Sequence, residues 1–561
     1  MARFDGFSAI GLAGAAVAVA PVLALAVIAM QGDGASFGHV LNYVAGDAAR
    51  ETIALLAGVA ACVLVVGVVA AWIVTAYEFP GRRAAEVALL LPLALPAYVL
   101  AYAWLDLTHP IGPLQTALRG ALGYANPADL RLPDLRSLPG AVFVFGLSLY
   151  PYVYIGARAA FQSRISAQVE AARLLGARES GVFFRVALPL ARPAMAAGAA
   201  LALMETLNDI GAAEFLSVTT LTTTVYATWI NRSDLPGAAQ IALAMLWIVL
   251  TLVFVERWAR GARGYAPEGA RRHNPARAVG GPAGIGLLAL ALAPPALGFA
   301  TPAVHLARQA AQRVAANGFP PEIAQAALNT MVVALAATVI CVVGALVAVA
   351  GRRYEPTSLL RNGLLKLSTL GYAVPGTVLA IGLLSVLGGF DSVLRAAFAA
   401  LGAKPPGLLL SASVFAVVVA LTIRFFRLAV AKIETGFERL PLSLDHSARV
   451  LGRTPFAMLR EIHLPLLTPS IAGAALLVFV DCMKELPATL LLRPLNFETL
   501  STQLYGEAAR GAYENGAVAA CLIVLVGLFP VAFLTMVGSA RAIEATRPRT
   551  TAELDGAREA A

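Results

Sequence analysis

Four acidic side chains stand in otherwise apolar stretches: Glu205 and Asp209 in METLND, and Asp481 and Glu485 in VDCMKE. Glu205 and Asp481 are 276 positions apart, as are Asp209 and Glu485, so the same i, i+4 pair occurs twice and reads as one helical face in each place. Ionisable groups within apolar helices are expensive and face a cavity or a partner. As oxygen ligands, the four could line a path for a hard cation. Alternatively, they sit at a helix end and pair with Lys484, Arg493 or Arg232. Other reactive groups are scattered. His109, His305 and His463 lie far apart, and Cys62, Cys341, Cys482 and Cys521 show no CxxC or Cys/His spacing. No metal centre can be built from them, and the thiols read as small buried side chains. Tyr226, Tyr505 and Trp229 could be taken for phenolate or aromatic-cage ligands, but such residues more often anchor a helix at a membrane interface. The chain has no GxxxxGK[ST] phosphate loop with which to cradle ATP.

The elements that must position these groups are membrane helices. Of 561 residues, 59% are hydrophobic and only 13% charged, with a mean hydropathy of +0.76, which fits no ordinary soluble domain. Apolar runs long enough to cross the hydrocarbon core fall near residues 8 to 30, 52 to 75, 86 to 105, 139 to 160, 187 to 207, 237 to 256, 279 to 301, 326 to 350, 365 to 388, 407 to 425, 463 to 482 and 517 to 538. Helices satisfy their own backbone groups in lipid, and the alternating pattern of barrel strands is absent. The first run resembles a signal peptide superficially, but it is long enough to span and is read as a membrane helix. With the N terminus inside, about 30 basic residues fall on the cytoplasmic side, as the positive-inside bias requires. The net charge of +9 therefore reflects topology and anionic headgroups rather than nucleic acid.

The chain repeats itself. Pro96 recurs as Pro375, Tyr226 as Tyr505 and Gly237 as Gly516, each 279 positions on, while Gly176 recurs as Gly452 and Leu188-Pro189 as Leu464-Pro465 at a spacing of 276. Residues 1–256 and 279–541 are thus two six-helix blocks, joined by an Arg-, Gly- and Pro-rich stretch at 257–278 that reads as a flexible linker and followed by a polar tail at 542–561. An even number of helices gives both blocks one orientation, which suits a pseudo-two-fold axis along the membrane normal with a pathway between the halves.

Between the fourth and fifth apolar runs of each block lies a repeated polar segment, 163–189 and 439–465. The first reads Glu170-Ala171-Ala172, three residues, Gly176, nine residues, Val186, one residue, Leu188-Pro189. Its Ala and Leu residues favour a short helix on which Glu170 and Arg173 can meet at i, i+3, and Gly176 would supply a sharp turn. Pro189 would fall in the first turn of the next membrane helix, where its missing N–H is harmless. The second copy keeps Ala448, Gly452, Leu464 and Pro465 but carries His446 in place of the Glu, with Asp445 one step upstream. A single such segment could be a basic amphipathic helix lying on lipid; two at matched positions argue for a docking element.

That spacing resembles the cytoplasmic coupling loop of ATP-binding-cassette importer permeases. The resemblance extends over nearly the whole chain, and the wording ETLNDIGAAEF and KELPATLLLRPLNFETLSTQLY is similar to fused ferric iron permeases. It implies an all-α integral membrane protein of the type I importer permease fold, with about twelve helices in two parallel repeats, in the bacterial inner membrane with both termini cytoplasmic. It also implies no catalysis and no cofactor in this chain: two copies of a separate ATPase would bind the two loops and hold ATP and Mg, and a substrate-binding protein would dock opposite. Ferric iron is the cargo that the resemblance suggests. Thiamine, polyamine, sulfate or molybdate are the alternatives with the same mechanism, and a secondary transporter is the alternative without an ATPase.

Overall fold

The computed structural model describes residues 6–32, 46–124, 126, 128–162, 165–260, 276–355, 358–405, 407–411 and 413–546. The first half comprises α1 (Gly6–Met30), α2 (Gly46–Ala76), α3 (Arg82–Ala88), α4 (Ala97–Thr108), α5 (Leu138–Phe161), α6 (Ile165–Leu174), α7 (Leu188–Asn208), α8 (Ile210–Phe215), α9 (Leu221–Ile230) and α10 (Leu235–Arg260). The second begins with α11 (Gly281–Pro295), which runs through a π turn into α12 (Thr301–Asn317). There follow α13 (Pro321–Tyr354), α14 (Leu359–Ser368), α15 (Gly376–Ala400), α16 (Val414–Glu438), α17 (Leu442–Val450), α18 (Leu464–Lys484), α19 (Pro487–Leu492), α20 (Leu500–Ala509) and α21 (Tyr513–Thr546).

Eleven helices among the described residues are long and apolar enough to cross a membrane, and Arg82–Ala94 with Ala97–Leu122 forms a pair bent by 94°, a broken span or a re-entrant loop, which brings the number to twelve if it is one span. A straight helix over 86 to 105 is therefore not what forms. Pro96 supplies no N–H and pushes Leu95 into extended backbone (φ −111°, ψ 106°), which breaks the span. Pro375 does the same after Val374 (φ −83°, ψ 124°), so α15 starts only at Gly376.

Matched bonds hold the two halves in the same shape. The hydroxyl of Thr52 in α2 accepts from Leu221 N at 2.9 Å, and that of Thr330 in α13 accepts from Leu500 N at 2.8 Å. α9 and α20 each open with a threonine capping box, Thr220 with Thr223 and Thr499 with Thr502. The halves also interlock. α1 packs against α14 and α15, and α12 against α4, so the first helix of each half lies on the other half. The Pro21 carbonyl of α1 presses on Gly382 of α15, a close approach that any Cβ would block. Across the opposite seam Trp104 Nε1 donates to Leu297 O at 3.2 Å, and His305 Nε2 lies 2.6 Å from Asp106 Oδ2.

Residues 261–275 of the linker lie outside the described residues, as do 547–561 of the tail. The end of the linker is not loose chain. β1 (Tyr77–Glu78) pairs in parallel with β2 (Arg277–Ala278), and Val279 N donates to Glu78 O at 2.8 Å, pinning the start of the second half beside the end of α2.

Candidate functional site

The two polar segments form the same turn. At the end of α6, Ala177 N donates to Ala172 O and Gly176 N to Arg173 O, both at 3.0 Å; at the end of α17, Arg453 N donates to Ala448 O and Gly452 N to Arg449 O, again both at 3.0 Å. This is the Schellman arrangement, which needs a left-handed residue just past the helix. Gly176 (φ 80°) and Gly452 (φ 72°) supply it. The spacing from the second Ala to the Gly therefore has a structural meaning: Ala172 and Ala448 provide the carbonyl that closes the turn.

Each turn displays a pair of apolar side chains that the sequence pattern did not single out. Leu174 and Leu175 are 84% and 88% exposed, and Val450 and Leu451, 276 positions on, are 86% and 78% exposed. An exposed apolar pair that recurs at the same place in both halves is a candidate contact surface. Glu170, Ala171 and His446 are exposed beside them. Arg173 turns to Glu179 at 3.0 Å rather than to Glu170.

Pro189 and Pro465 do not begin their helices. The preceding residues are already helical from Glu179 and Pro455, and a π turn, Val182–Ala187 or Leu459–His463, leads into α7 or α18. Each proline lacks an N–H and its ring crowds the carbonyl four residues back, so a widened turn at that point relieves both problems.

Beneath the loops the halves differ. Val169 of α6 is buried, and Trp72 of α2 meets Phe161 of α5 and Phe183 of the π turn edge-on or tilted at 5.4 and 5.1 Å. At the position equivalent to Val169 stands Asp445, which points inward and is 3% exposed, so it does not take the place of the missing Glu on the loop surface. Arg353 Nε donates to Asp445 Oδ2 at 2.7 Å, and His463 Nε2 lies 2.9 Å from Asp445 Oδ1. Burial alone would raise this carboxyl, but hydrogen bonds and charge from Arg353 and His463 outweigh it and hold Asp445 below the usual carboxylate range.

The four carboxylates converge on one central cavity of about 160 Å³, walled by α4, α5, α7, α16 and α18. That is space for on the order of ten waters. They do not share one helical face, because α7 and α18 end within each pair. Asp209 follows the last turn of α7 in extended backbone and caps α8, accepting from Ala212 N at 2.8 Å. Glu485 sits in the matching break after α18 and accepts from Ala488 N at 2.8 Å, Thr489 N at 3.0 Å and Thr489 Oγ1 at 2.5 Å. It also takes a bond from Arg424 NH1 at 3.1 Å. Asp481 is 4.0 Å from Lys484, while Arg493 pairs with Glu498 at 2.6 Å and so is not the partner that sequence proximity suggested. Asn208, which lines the cavity, adds a buried side-chain oxygen, Oδ1, that has no hydrogen-bond partner among the described residues.

Arg424 was missed, although a lone arginine at the end of the apolar run 407 to 425 is a visible signal. Its counterpart in α5 is Ser148, so the buried ion pair belongs to the second half alone. Among the described residues no three His, Cys, Asp or Glu side chains come together as metal ligands, and all four cysteines are free. Tyr505 is no interfacial anchor: it is buried, its hydroxyl donates to Glu214 of α8 in the other half, and its ring stacks on Phe215 at 5.7 Å.

A membrane bundle of two like halves, each ending a short helix in the same turn below a shared cavity, has known relatives. The family described as binding-protein-dependent transport system inner membrane component matches residues 63–261. The chain is 24% identical over 496 residues to the Fe(3+)-transport system permease protein FbpB 2 of Haemophilus influenzae, covering 86% of this chain and 88% of that protein. It is 30% identical over 204 residues to the putative 2-aminoethylphosphonate transport system permease protein PhnU of Salmonella paratyphi A, covering 36% and 70%. To the molybdenum transport system permease protein ModB of Escherichia coli it is 26% identical over 198 residues, covering 34% and 83%. On these matches and on its many apolar helices, this multi-pass protein belongs to the family of binding-protein-dependent transport system inner membrane components.

Proposed function

We propose that this permease forms the inner-membrane pathway for ferric iron, delivered by a binding protein on one face and driven by two copies of an ATPase docked on the two Schellman-ended loops of the other. The observation that carries the cargo is the near end-to-end similarity to a protein named as an Fe(3+) permease, against partial similarity to the others. The cavity agrees in chemistry: Glu205, Asp209, Asp481 and Glu485 face two cations, Arg424 and Lys484, and carboxylate oxygens suit a hard cation. ATP and Mg would be held by the ATPase. The N and C termini would lie on the cytoplasmic side with the loops.

Arg424 and Lys484 favour a second reading, an oxyanion cargo, as the relatives named for molybdenum and 2-aminoethylphosphonate transport would suggest. Arg424 is already spent on Glu485, which weakens that reading. The test is uptake of radioactive ferric iron into proteoliposomes containing the permease, its genomic-neighbour ATPase and binding protein, with molybdate, sulfate, thiamine and polyamines as competitors. Iron uptake that requires ATP and resists those competitors is expected. Uptake of a competitor in place of iron overturns the cargo, and uptake by the permease alone overturns the mechanism.

A further inference from the structure

We infer that His463 is a positioning residue that locks the second loop to α18 through a buried network of directional bonds, whereas among the described residues the first loop meets the turn before α7 through apolar contact and one partly exposed ion pair, Arg173 with Glu179. Four elements meet at this one imidazole and its carboxylate partner. His463 lies in the π turn that leads into α18 and is 1% exposed. Its Nε2 faces Asp445 of α17 at 2.9 Å and its Nδ1 faces the hydroxyl of Tyr354, at the end of α13, at 3.0 Å. Its ring is stacked on Tyr354 at 5.8 Å and meets the edge of Phe437, of α16, at 5.2 Å. Arg353 completes the knot: beyond Asp445 it donates to Phe437 O at 2.6 Å, in the last turn of α16, and to Leu440 O at 3.0 Å, just past that helix.

The equivalent positions in the first half are Val169 for Asp445 and Ala187 for His463, both buried. Apolar contact is non-directional and lets surfaces slide, whereas a buried hydrogen-bonded network fixes one relative arrangement. Motion of the second loop must therefore move the π turn with it. α18 runs from that turn to Asp481 and the break at Glu485, so one continuous helix reaches the cavity. Among the described residues the first loop has no buried network at the matching positions, so the two halves pass force between the ATPase and the cavity unequally.

This rests on the reading of the loops as ATPase-docking elements, and the measurements separate the two. Reconstituted permease, ATPase and loaded binding protein are assayed for ATPase affinity and for the ratio of stimulated to basal hydrolysis. His463→Ala leaves Val450, Leu451 and Gly452 untouched, so ATPase affinity should stay within about twofold while the stimulation ratio falls about tenfold. His463→Gln, which keeps an N–H donor toward Asp445, should recover most of it. Tyr354→Phe, which deletes a single hydroxyl and guards against misfolding of the alanine variant, should lower the ratio about threefold. A ratio unchanged in His463→Ala and Tyr354→Phe, or lost only in step with ATPase affinity, overturns the inference and leaves the docking reading intact. A wild-type complex that shows no ATPase binding overturns both.

Discussion

Replacing Gly176 by Val would place a β-branched residue at φ 80°, a left-handed conformation that costs an L-residue about 1–2 kcal/mol. A Cβ there would meet nothing within 4 Å, so the whole penalty is backbone strain and none of it is collision. Strain of this size lowers the population of the correct turn by a factor of about 5–30. Gly452, at φ 72° and equally open, carries the same penalty. The loops lie on different halves, so the penalties add, and the double variant should bind ATPase about 25- to 900-fold more weakly. Asn visits the left-handed region readily, so the matched Asn pair should lose less than about fivefold. Because the membrane helices satisfy their own backbone, insertion and yield should not change. The assay is titration of nanodisc-held permease with the ATPase, followed by cargo-stimulated hydrolysis. Wild-type affinity in the double Val variant, or equal damage from Asn and Val, would refute the argument that these turns aim a docking surface.

Leu175→Asp and Leu451→Asp, at side chains 88% and 78% exposed, should leave the melting temperature unchanged and weaken ATPase binding about tenfold each; a lowered melting temperature would show that they pack within the permease. Arg424→Ala strips a cation from the buried Glu485 carboxylate and should cost about 3 kcal/mol in detergent-unfolding titrations, while Arg424→Met combined with Glu485→Gln should cost less because no charge is left alone. The carboxyl of Asp445 is depressed, so its stabilisation is fully present above the ordinary value of about 4 and is lost only as pH falls through the depressed one. Melting curves across that acid range should show a drop that Asp445→Asn lacks; identical curves would contradict it.

The repeat, the helical membrane class and the two loops were legible because they depend on local composition and spacing: apolar runs of spanning length, Gly past a short helix, Leu-Pro beyond it. Gly176 and Gly452 are visible from residue type alone, since few other residues tolerate the turn they make. The breaks after Leu95 and Val374 were half legible, for the prolines were plain but an apolar run conceals where a helix stops.

What could not be read was whatever depends on which partner a side chain meets across the fold. Asp445 and His446 are adjacent and both polar, yet one is sealed inside by Arg353 and His463, distant in sequence, and the other faces out. Glu205 with Asp209 and Asp481 with Glu485 have helical spacing, but ends of α7 and α18 that are set by tertiary packing turn the second member of each pair into a cap. Arg424 finds Glu485 from 61 positions away. Burial and pairing are properties of the assembled bundle: a charge in a membrane helix must find a partner, and which partner lies within reach is decided only when the helices pack.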